Sequence, residues 1–290
     1  MAATGGGRRG VKAALLAAVL VVLALPGASA ARGGVPAFRH AVVMVFENKE
    51  RESVLGNPDA PTFNRMAAEY AALGQYYGVA HPSLPNYLSL VSGSTQGITT
   101  NCTGCVVRGR SLAGTLAAAH RTWKTYAEGL PRAGFTGASS GSYAKKHNPF
   151  LYFREVITRP ARRARVVPLT ELRADLRLNA LPDFALVVPD LCHSMHDCSV
   201  AVGDAWLQSV LPPLLQLPHT VVFVVFDEGT TNVRGGGHVP ALALGTAVRV
   251  GSRYDRVTSH CGLLRTIEDA WSLPRPGCSA RIAPITSIWK

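Results

Sequence analysis

Acidic residues are scarce in this 290-residue sequence, which has 18 Asp and Glu against 30 Lys and Arg and a formal net charge of +12. A basic chain favours anionic partners such as phosphate esters, lipid head groups or nucleic acid. Nucleic acid is not expected, because the sequence lacks the basic and aromatic motifs of the known binding modules. The charge also suits a role in solubility, so it does not select a partner by itself.

Long apolar runs are missing after residue 30, which excludes a protein with several transmembrane helices. The single run, AALLAAVLVVLAL, follows three basic residues and ends in an A-x-A pattern at Ala28 and Ala30. This pattern predicts a secretory signal peptide over 1–30, and a secreted or otherwise extracytoplasmic single domain over 31–290. An N-terminal membrane anchor is the alternative, but the run is shorter than the roughly 20 residues that a span needs. Export by the general or the twin-arginine route stays open.

Unpaired cysteines are not expected, because the six cysteines form an even set in a chain with an export signal. A zinc site in C-T-G-C at 102–105 is the alternative, although no second C-x-x-C accompanies it. Six cysteines allow fifteen connectivities. Close spacings suggest the pairs Cys102–Cys105, Cys192–Cys198 and Cys261–Cys278.

Repeats are absent as well, and strand-like and helix-like patterns alternate along the chain. This alternation predicts an α/β fold with a mostly parallel central sheet and helices on both faces. A long loop over 134–165, rich in Gly, Ser and basic residues, is predicted to be functional. Strands are expected at 41–46, 75–80, 122–129, 184–189, 220–229 and 239–245; helices are expected at 61–74, 84–91, 111–120, 169–180, 203–217 and 260–273.

Polar side chains follow four of the expected strands at the point where each strand ends. They are Glu47-Asn48, the HPS segment with Ser83, the DLCHSMHD segment and Asp227-Glu228. A parallel sheet brings such strand ends to one edge, where ligands bind. Carboxylates grouped there would repel one another unless a cation lies between them. The pattern therefore predicts a divalent metal ion, with Mg, Ca or Mn favoured by oxygen ligands and zinc also accommodated.

Ser83 lies in HPSLPNYLSLVSG, at the start of an expected helix. A helix N-terminus favours a phosphate group, and a neighbouring cation would make the serine hydroxyl a usable nucleophile. Each residue also has an ordinary explanation when it is considered singly. Ser is a preferred helix cap, Asn forms turns, and an acidic pair before glycine often ends a strand in solvent. Only their joint placement indicates a phosphoryl-transfer site.

Six motifs, in order along the chain, make the sequence resemble the bacterial phosphoesterase family of the alkaline phosphatase superfamily. This family contains secreted acid phosphatases, including phosphatidylinositol-3-phosphatases, and phospholipase C enzymes. The resemblance covers about Ala41 to Trp289 and implies an alkaline-phosphatase-like fold. The motifs are ENKERESVLGN, HPSLPNYLSLVSG, KKHNPFLYF, HDCSVAVGDAWL, VVFDEG and SHCGLLRTIEDAWSLP.

The resemblance also implies roles for individual residues. Ser83 corresponds to the nucleophile that forms a phosphoryl-enzyme intermediate. His147 and His196 match the catalytic histidines expected around the phosphate, where an imidazolium would neutralise oxygen or protonate the leaving group. The metal ligands implied by the match are Glu47, Asn48, Ser83, Asp227 and Glu228.

Two positions depart from the family pattern. Glu50 stands where E-N-x-S has serine, and Ser194 stands where N-D-M-H-D has an acid. If that acid holds a second metal in relatives, this chain holds one ion unless Asp190, His193 or Asp197 compensates. His81, His238 and His260 lie near motifs without an assigned role.

The leading hypothesis is a secreted, metal-assisted acid phosphatase that hydrolyses small-molecule or lipid phosphate monoesters, with phosphoinositides among the candidates. Transient contact with a membrane surface would accompany a lipid substrate. A phospholipase C-type phosphodiesterase and an inactive protein that binds anionic lipid or the cell envelope are the alternatives. A serine esterase is disfavoured by the lack of a G-x-S-x-G elbow.

Overall fold

A computed structural model describes residues 1–7 and 34–290. Residues 8–30 of the expected signal peptide therefore lie outside the described residues. Within the described part of the chain, no helix has the length and apolar character needed to cross a membrane.

An eight-stranded sheet forms the centre of the molecule, in the order β11-β2-β10-β9-β1-β8-β4-β7. The strands from β9 to β7 run parallel, whereas β10 is antiparallel to both of its neighbours. The fold is thus the mostly parallel α/β arrangement that the sequence predicts. The strands are β1 His40–Phe46, β2 Ala71–Leu73, β3 Tyr76–Tyr77, β4 Trp123–Ala127, β5 Ser139–Ser140, β6 Tyr143–Ala144, β7 Val166–Pro168, β8 Phe184–Val188, β9 Thr220–Phe226, β10 Ala241–Leu244, β11 Arg253–Tyr254 and β12 Thr258–Ser259.

Helices surround this sheet; among them, α2 packs on α8 and α3 packs on α10. Short 3-10 turns at Lys145–His147, Pro149–Tyr152, Val233–Gly235 and Gly277–Arg281 complete the regular structure. The α-helices are α1 Arg51–Val54, α2 Pro61–Glu69, α3 Ser83–Ser92, α4 Leu112–Ala118, α5 Arg154–Ile157, α6 Pro160–Arg163, α7 Thr170–Arg177, α8 Val200–Val210, α9 Pro212–Leu215 and α10 His260–Ala270.

The two central strands explain why the sheet forms where it does. Strand β9 is buried at all seven positions, and β1 is buried at six of seven. Continuous runs of β-branched and aromatic residues suit strands that are covered on both faces. These strands end at Phe46 and Phe226, which are paired in register, so Glu47 and Asp227 leave the sheet side by side.

Several expected elements differ from the observed ones. The helix expected over 61–74 ends at Glu69, because Ala71–Leu73 forms a buried strand between β10 and β11. The strand expected over 75–80 is reduced to Tyr76–Tyr77 and pairs with β12, outside the main sheet. Gly78 then passes so close to the carbonyls of Gly236 and Asp227 that a side chain would collide with them. The segment 78–82 and the start of helix α3 therefore position Ser83, which does not lie at the end of a main-sheet strand.

The region expected to be a long loop, 134–165, contains short strands, 3-10 turns and helices α5 and α6. Buried aromatic residues such as Phe150, Tyr152 and Phe153 fold it onto the core. The expected interruption of the helix over 203–217 is confirmed, since α8 ends at Val210 and α9 begins at Pro212.

The three suggested disulfides are confirmed, and the thiolates of the alternative zinc site at 102–105 are therefore not available. The bonds join Cys102 to Cys105, Cys192 to Cys198, and Cys261 to Cys278.

Candidate active site

Ser83 is the first residue of α3 and is almost fully buried, with 1% of its surface exposed. Its hydroxyl lies 3.1 Å from Oε2 of Glu47 and 3.1 Å from Oε1 of Glu228, either of which can accept its proton. The first turn of α3 offers few free donors, because the Leu84 N–H is bonded to Asn101 and Pro85 has none. The helix dipole and the two carboxylates, not a cradle of amides, therefore define the surroundings of this hydroxyl.

Asp227 supplies the third carboxyl group of the site. Its Oδ1 accepts hydrogen bonds from the backbone N–H groups of Asn48, at 3.2 Å, and Glu228, at 2.6 Å. Its Oδ2 is buried and has no hydrogen-bond partner among the described residues. A buried carboxylate oxygen without a partner is costly, and a cation would satisfy it.

The clustering of the carboxyl groups changes their acid–base behaviour. Burial, followed by the charges of Glu47 and Glu228, raises the pKa of Asp227 well above its usual range. Burial also raises the pKa of Glu47, against a smaller opposing effect of its hydrogen bond from Tyr87. These directions show a site with too much negative charge for its surroundings, which is the condition that a bound divalent cation relieves.

Tyr87 and His147 enclose Glu47 on its other side. The Tyr87 hydroxyl donates to Oε1 of Glu47 at 2.6 Å. His147 Nε2 lies 3.1 Å from the same oxygen, at an angle that does not form a hydrogen bond. Burial lowers the pKa of His147 well below its usual value, helped by the charge of Lys146. The neutral imidazole is thus favoured in the absence of a ligand.

His196 lies nearer the solvent, with its ring centroid 5.9 Å from that of His147. Its Nδ1 lies 2.6 Å from Oδ1 of Asp197, and its Nε2 lies 3.0 Å from the Lys146 ammonium. Glu47, His147 and His196 form a group whose ligand atoms lie within 4.8 Å of one another, a spacing that also suits a metal ion. Glu47 therefore belongs both to the carboxylate cluster and to this histidine group.

Asn48 is joined to the site through its backbone. Its φ of 55° is in the left-handed region, where Asn is among the more tolerant residues. This conformation turns the chain after β1 so that the Asn48 N–H meets Asp227. The structure gives no hydrogen bond for its side-chain amide among the described residues, so a ligand role for that amide stays a prediction.

Two of the histidines without an assigned role contact Asp227 and Glu228. His81 Nδ1 lies 2.5 Å from Oε2 of Glu228. His260, fully buried at the start of α10, lies with Nε2 2.6 Å from the backbone carbonyl of Asp227, and burial lowers its pKa to about 4. His260 therefore donates as a neutral imidazole and fixes the end of β9. His238 contacts the Gly74 carbonyl and does not reach Ser83 through any described hydrogen bond.

The two departures from the family pattern have structural consequences here. Glu50 accepts three backbone hydrogen bonds, from Thr230, Thr231 and His238, and so ties the segment after Glu228 to the end of β1. Ser194 is buried; its hydroxyl donates to the Leu191 carbonyl at 3.3 Å, and its backbone carbonyl accepts the Glu47 N–H at 2.9 Å.

A second group of potential ligands lies beyond β4 and β8. His193 Nδ1 lies 2.9 Å from Oε2 of Glu128 and 3.5 Å from Oδ1 of Asp190. These three side chains are partly exposed and already pair with one another. Asp190 and His193 are thus engaged with Glu128, and no described contact brings them to Ser83.

Sequence reasoning places Glu47, Ser83, Asp227 and Glu228 in one site, and the structure brings these four together.

Sequence reasoning did not include Tyr87, although a residue four positions after Ser83 lies on the same face of a helix. It also missed the contacts of His81 with Glu228 and of Lys146 with His196, for which no spacing rule exists. The folded 134–165 region positions His147, and the loop after β8 positions His196.

The fold and this site define a class of protein. A solved structure of a protein in the alkaline phosphatase superfamily from Vibrio parahaemolyticus superposes with a TM-score of 0.58 at 14% identity, covering 85% of this chain and 72% of that one. The likeness confirms the alkaline-phosphatase-like fold. The model of the phosphoesterase family matches residues 40–274, and the chain belongs to that family.

Named relatives narrow the class to phosphatases. A phosphatidylinositol-3-phosphatase from Mycobacterium tuberculosis is 36% identical over 286 residues, which are 97% of this chain and 92% of that protein. An acid phosphatase from Aspergillus fumigatus is 28% identical over 77% of this chain. The aligned region is 54% of that fungal enzyme, so the chain spans about half of its length. The protein is a hydrolase that acts on phosphoric ester bonds.

Proposed function

We propose that this protein is a secreted, metal-assisted acid phosphatase that hydrolyses phosphate monoesters through a phosphoserine at Ser83. The observation that carries the proposal is the position of the Ser83 hydroxyl, buried at a helix N-terminus and within 3.1 Å of two carboxylates. The similarity to a phosphatidylinositol-3-phosphatase makes phosphoinositides substrate candidates, and a lipid substrate would bring the enzyme to a membrane surface.

The side chains present fit a divalent cation. Three buried carboxyl groups meet there, one buried oxygen of Asp227 lacks any partner among the described residues, and oxygen is the donor type that hard divalent ions prefer. Glu47, Asp227, Glu228 and Ser83 would hold the ion, with Asn48 beside them and the His147–His196 group adjoining. When bound, it would neutralise these carboxylates, lower the pKa of the Ser83 hydroxyl and offset charge on the phosphoryl group.

The chain's own residues can carry out both halves of the reaction. In the first, Ser83 Oγ bonds to phosphorus as its proton passes to Glu47 or Glu228, and the bond from phosphorus to the ester oxygen breaks. The departing oxygen takes a proton from solvent or from His196 after that ring is protonated. In the second, water bonds to phosphorus, the bond to Ser83 Oγ breaks, and Ser83 regains a proton as inorganic phosphate leaves.

Hydrolysis of an aryl phosphate tests the proposal. Replacement Ser83→Ala removes the nucleophile and is expected to lower kcat by roughly 10³-fold or more. Ser89→Ala is the matched control, because Ser89 is equally buried in the same helix and its side chain makes no described hydrogen bond. Activity close to wild type in Ser83→Ala, with the protein folded, would refute the assignment. Acid-quench trapping with a ³²P-labelled monoester should label wild type and not this variant.

A further inference from the structure

Lys146 holds a cationic group beside the site without an anionic partner. Its ammonium lies 3.0 Å from Nε2 of His196, and within residues 34–290 no carboxylate lies within 4.0 Å of it. Lys124 shows the more usual arrangement, with its ammonium 2.6 Å from Asp175 and 3.8 Å from Glu171. An ammonium bound only to a neutral acceptor keeps its full charge available for an arriving anion.

The Lys146 ammonium can only donate, so Nε2 of His196 is the acceptor in this contact. His196 Nδ1 lies 2.6 Å from Oδ1 of Asp197, so the ring proton is on Nδ1 and is donated to that carboxylate. This leaves the Nε2 lone pair to accept from Lys146. Asp197 and His196 thus fix the position of the lysine head group without neutralising it.

Lys146 is also more exposed than the buried groups beside it. It directly precedes His147 in the 3-10 turn Lys145–His147, and unlike Glu47 and His147 it is partly exposed. Its positive charge contributes to the lowered pKa of His147 and opposes the rise in the pKa of Glu47. An anion arriving from solvent can therefore reach this ammonium close to Glu47 and His147.

We propose that Lys146 binds the non-bridging oxygens of the substrate phosphate and favours dianionic monoesters over monoanionic diesters. This inference rests on the proposed function. On substrate binding, Lys146 exchanges the neutral His196 nitrogen for a charged phosphate oxygen, which is the stronger acceptor. Above its second pKa, which is about 6, a monoester gains more from this exchange than a diester, because it then carries one more negative charge.

The two other lysines nearby, Lys145 and Lys49, each donate to a backbone carbonyl. Lys145 is buried and donates to the Thr103 carbonyl at 2.7 Å, inside the loop closed by the Cys102–Cys105 disulfide. Lys49 donates to the Met195 carbonyl at 2.9 Å and so joins the end of β1 to the loop after β8. Lys49 is the rival candidate, since burial lowers the pKa of its ammonium and the nearby charge of Glu47 opposes that change.

The test compares wild type with Lys146→Met, Lys146→Arg, Lys49→Met and Lys290→Met in metal-supplemented buffer. The substrates are an aryl phosphate monoester and an alkyl aryl phosphate diester. We expect Lys146→Met to lower kcat/KM for the monoester by roughly 10- to 100-fold and for the diester by about threefold or less. Lys146→Arg should lie nearer to wild type than Lys146→Met. Lys290→Met removes an exposed charge at the C-terminus and should change neither value.

A binding measurement provides a readout without turnover. Inorganic phosphate is titrated into Ser83→Ala and into Ser83→Ala/Lys146→Met by calorimetry, and the double variant should bind at least about tenfold more weakly. If diester hydrolysis is below detection in every protein, the monoester rates and these phosphate affinities decide whether Lys146 binds the phosphate.

The outcomes separate this inference from the proposed function. A wild-type protein without monoester activity would refute the proposed function itself. An active wild type with Lys146→Met within about threefold of it, or with equal losses on both esters, would overturn the inference alone. A larger monoester loss in Lys49→Met than in Lys146→Met would overturn it too, because it would assign the phosphate to Lys49.

Discussion

Two buried aspartates, Asp227 and Asp269, show opposite ways of keeping a carboxylate inside a protein. Asp269, fully buried in α10, is bound by Nε of Arg265 at 2.8 and 2.9 Å and by Nε of Arg275 at 2.6 Å. Asp227 has only two backbone N–H donors, and one of its oxygens has no partner within the described chain. The charge of Asp269 is neutralised within the protein, whereas Asp227 contacts no cationic side chain among the described residues, and the proposed metal ion would supply that partner.

The comparison distinguishes structural charge from functional charge. Arginines that neutralise Asp269 join α10 to the C-terminal turn, where Arg265 also donates to the carbonyls of Ser279 and Ile282. Around Asp227 the neighbouring side chains are further acids, and burial together with repulsion from Glu47 and Glu228 raises its pKa. A fold that only needed stability would not gain from such a cluster, because unpaired buried charge is costly.

Asp227→Asn should produce the largest effect on catalysis. Loss of this carboxylate removes a ligand for the cation, and we expect kcat/KM for an aryl phosphate to fall roughly 10³-fold. The metal-free variant should unfold at the same urea concentration as metal-free wild type or a higher one, because like-charge repulsion is relieved. A variant that loses stability in proportion to its activity would contradict this distinction.

Asp269→Asn should show the reverse behaviour. It leaves two arginines without their buried partner, and we expect the free energy of unfolding to fall by about 3 kcal/mol. Activity per folded molecule at low temperature should stay close to wild type, since Asp269 makes no described contact with Ser83 or its neighbours. Urea unfolding and aryl phosphate hydrolysis on the same samples measure both quantities.

Glu268, adjacent to Asp269, is a third buried acid and shows a third behaviour, because burial favours its protonated form. Burial raises its pKa to about 8 from 4.5, and its Oε2 has no partner among the described residues. Between these pH values the folded chain holds a proton that the unfolded chain has released. The stability it contributes is therefore present below pH 4.5 and is lost as pH rises towards 8.

Glu268→Gln removes this dependence, because an amide does not titrate. We expect the variant to gain stability relative to wild type as pH rises from 5 to 8, by up to about 3 to 4 kcal/mol for these pKa values. Urea unfolding of both proteins at the two pH values checks it. A difference between them that stays constant with pH would show that Glu268 is ionised in the folded state throughout.

The same contrast shows what the sequence could reveal. Glu47 and Asp227 could be predicted because each follows a long, apolar, β-branched run, and parallel strands place such ends at one edge. Ser83 lies beside the carboxylates as expected, but the prediction that it follows a main-sheet strand was wrong, since β3 does not belong to the main sheet. The crossing at Gly78 depends on backbone contacts with residues more than 100 positions away, which local pattern does not encode.

Which charged side chains meet one another in the folded protein could be predicted even less from the sequence. Nothing in the spacing of Lys146 and His196 indicates that their side chains meet, because 50 residues and several elements separate them. Likewise Arg265 and Asp269 look like an ordinary helical i,i+4 pair, and only the folded chain brings Arg275 onto the same carboxylate. Which acids are neutralised internally is decided by tertiary packing.

Calorimetric titration of the chelator-treated protein with Mg²⁺, Mn²⁺, Ca²⁺ and Zn²⁺ tests the central claim most directly. The account predicts that wild type binds at least one of these ions at the Ser83 site, that Asp227→Asn binds it far more weakly, and that Asp269→Asn binds it as wild type does. Phosphatase activity lost on chelation should return with the ion that binds. A chelated protein that binds none of the four ions and still hydrolyses an aryl phosphate at the full rate would contradict the account.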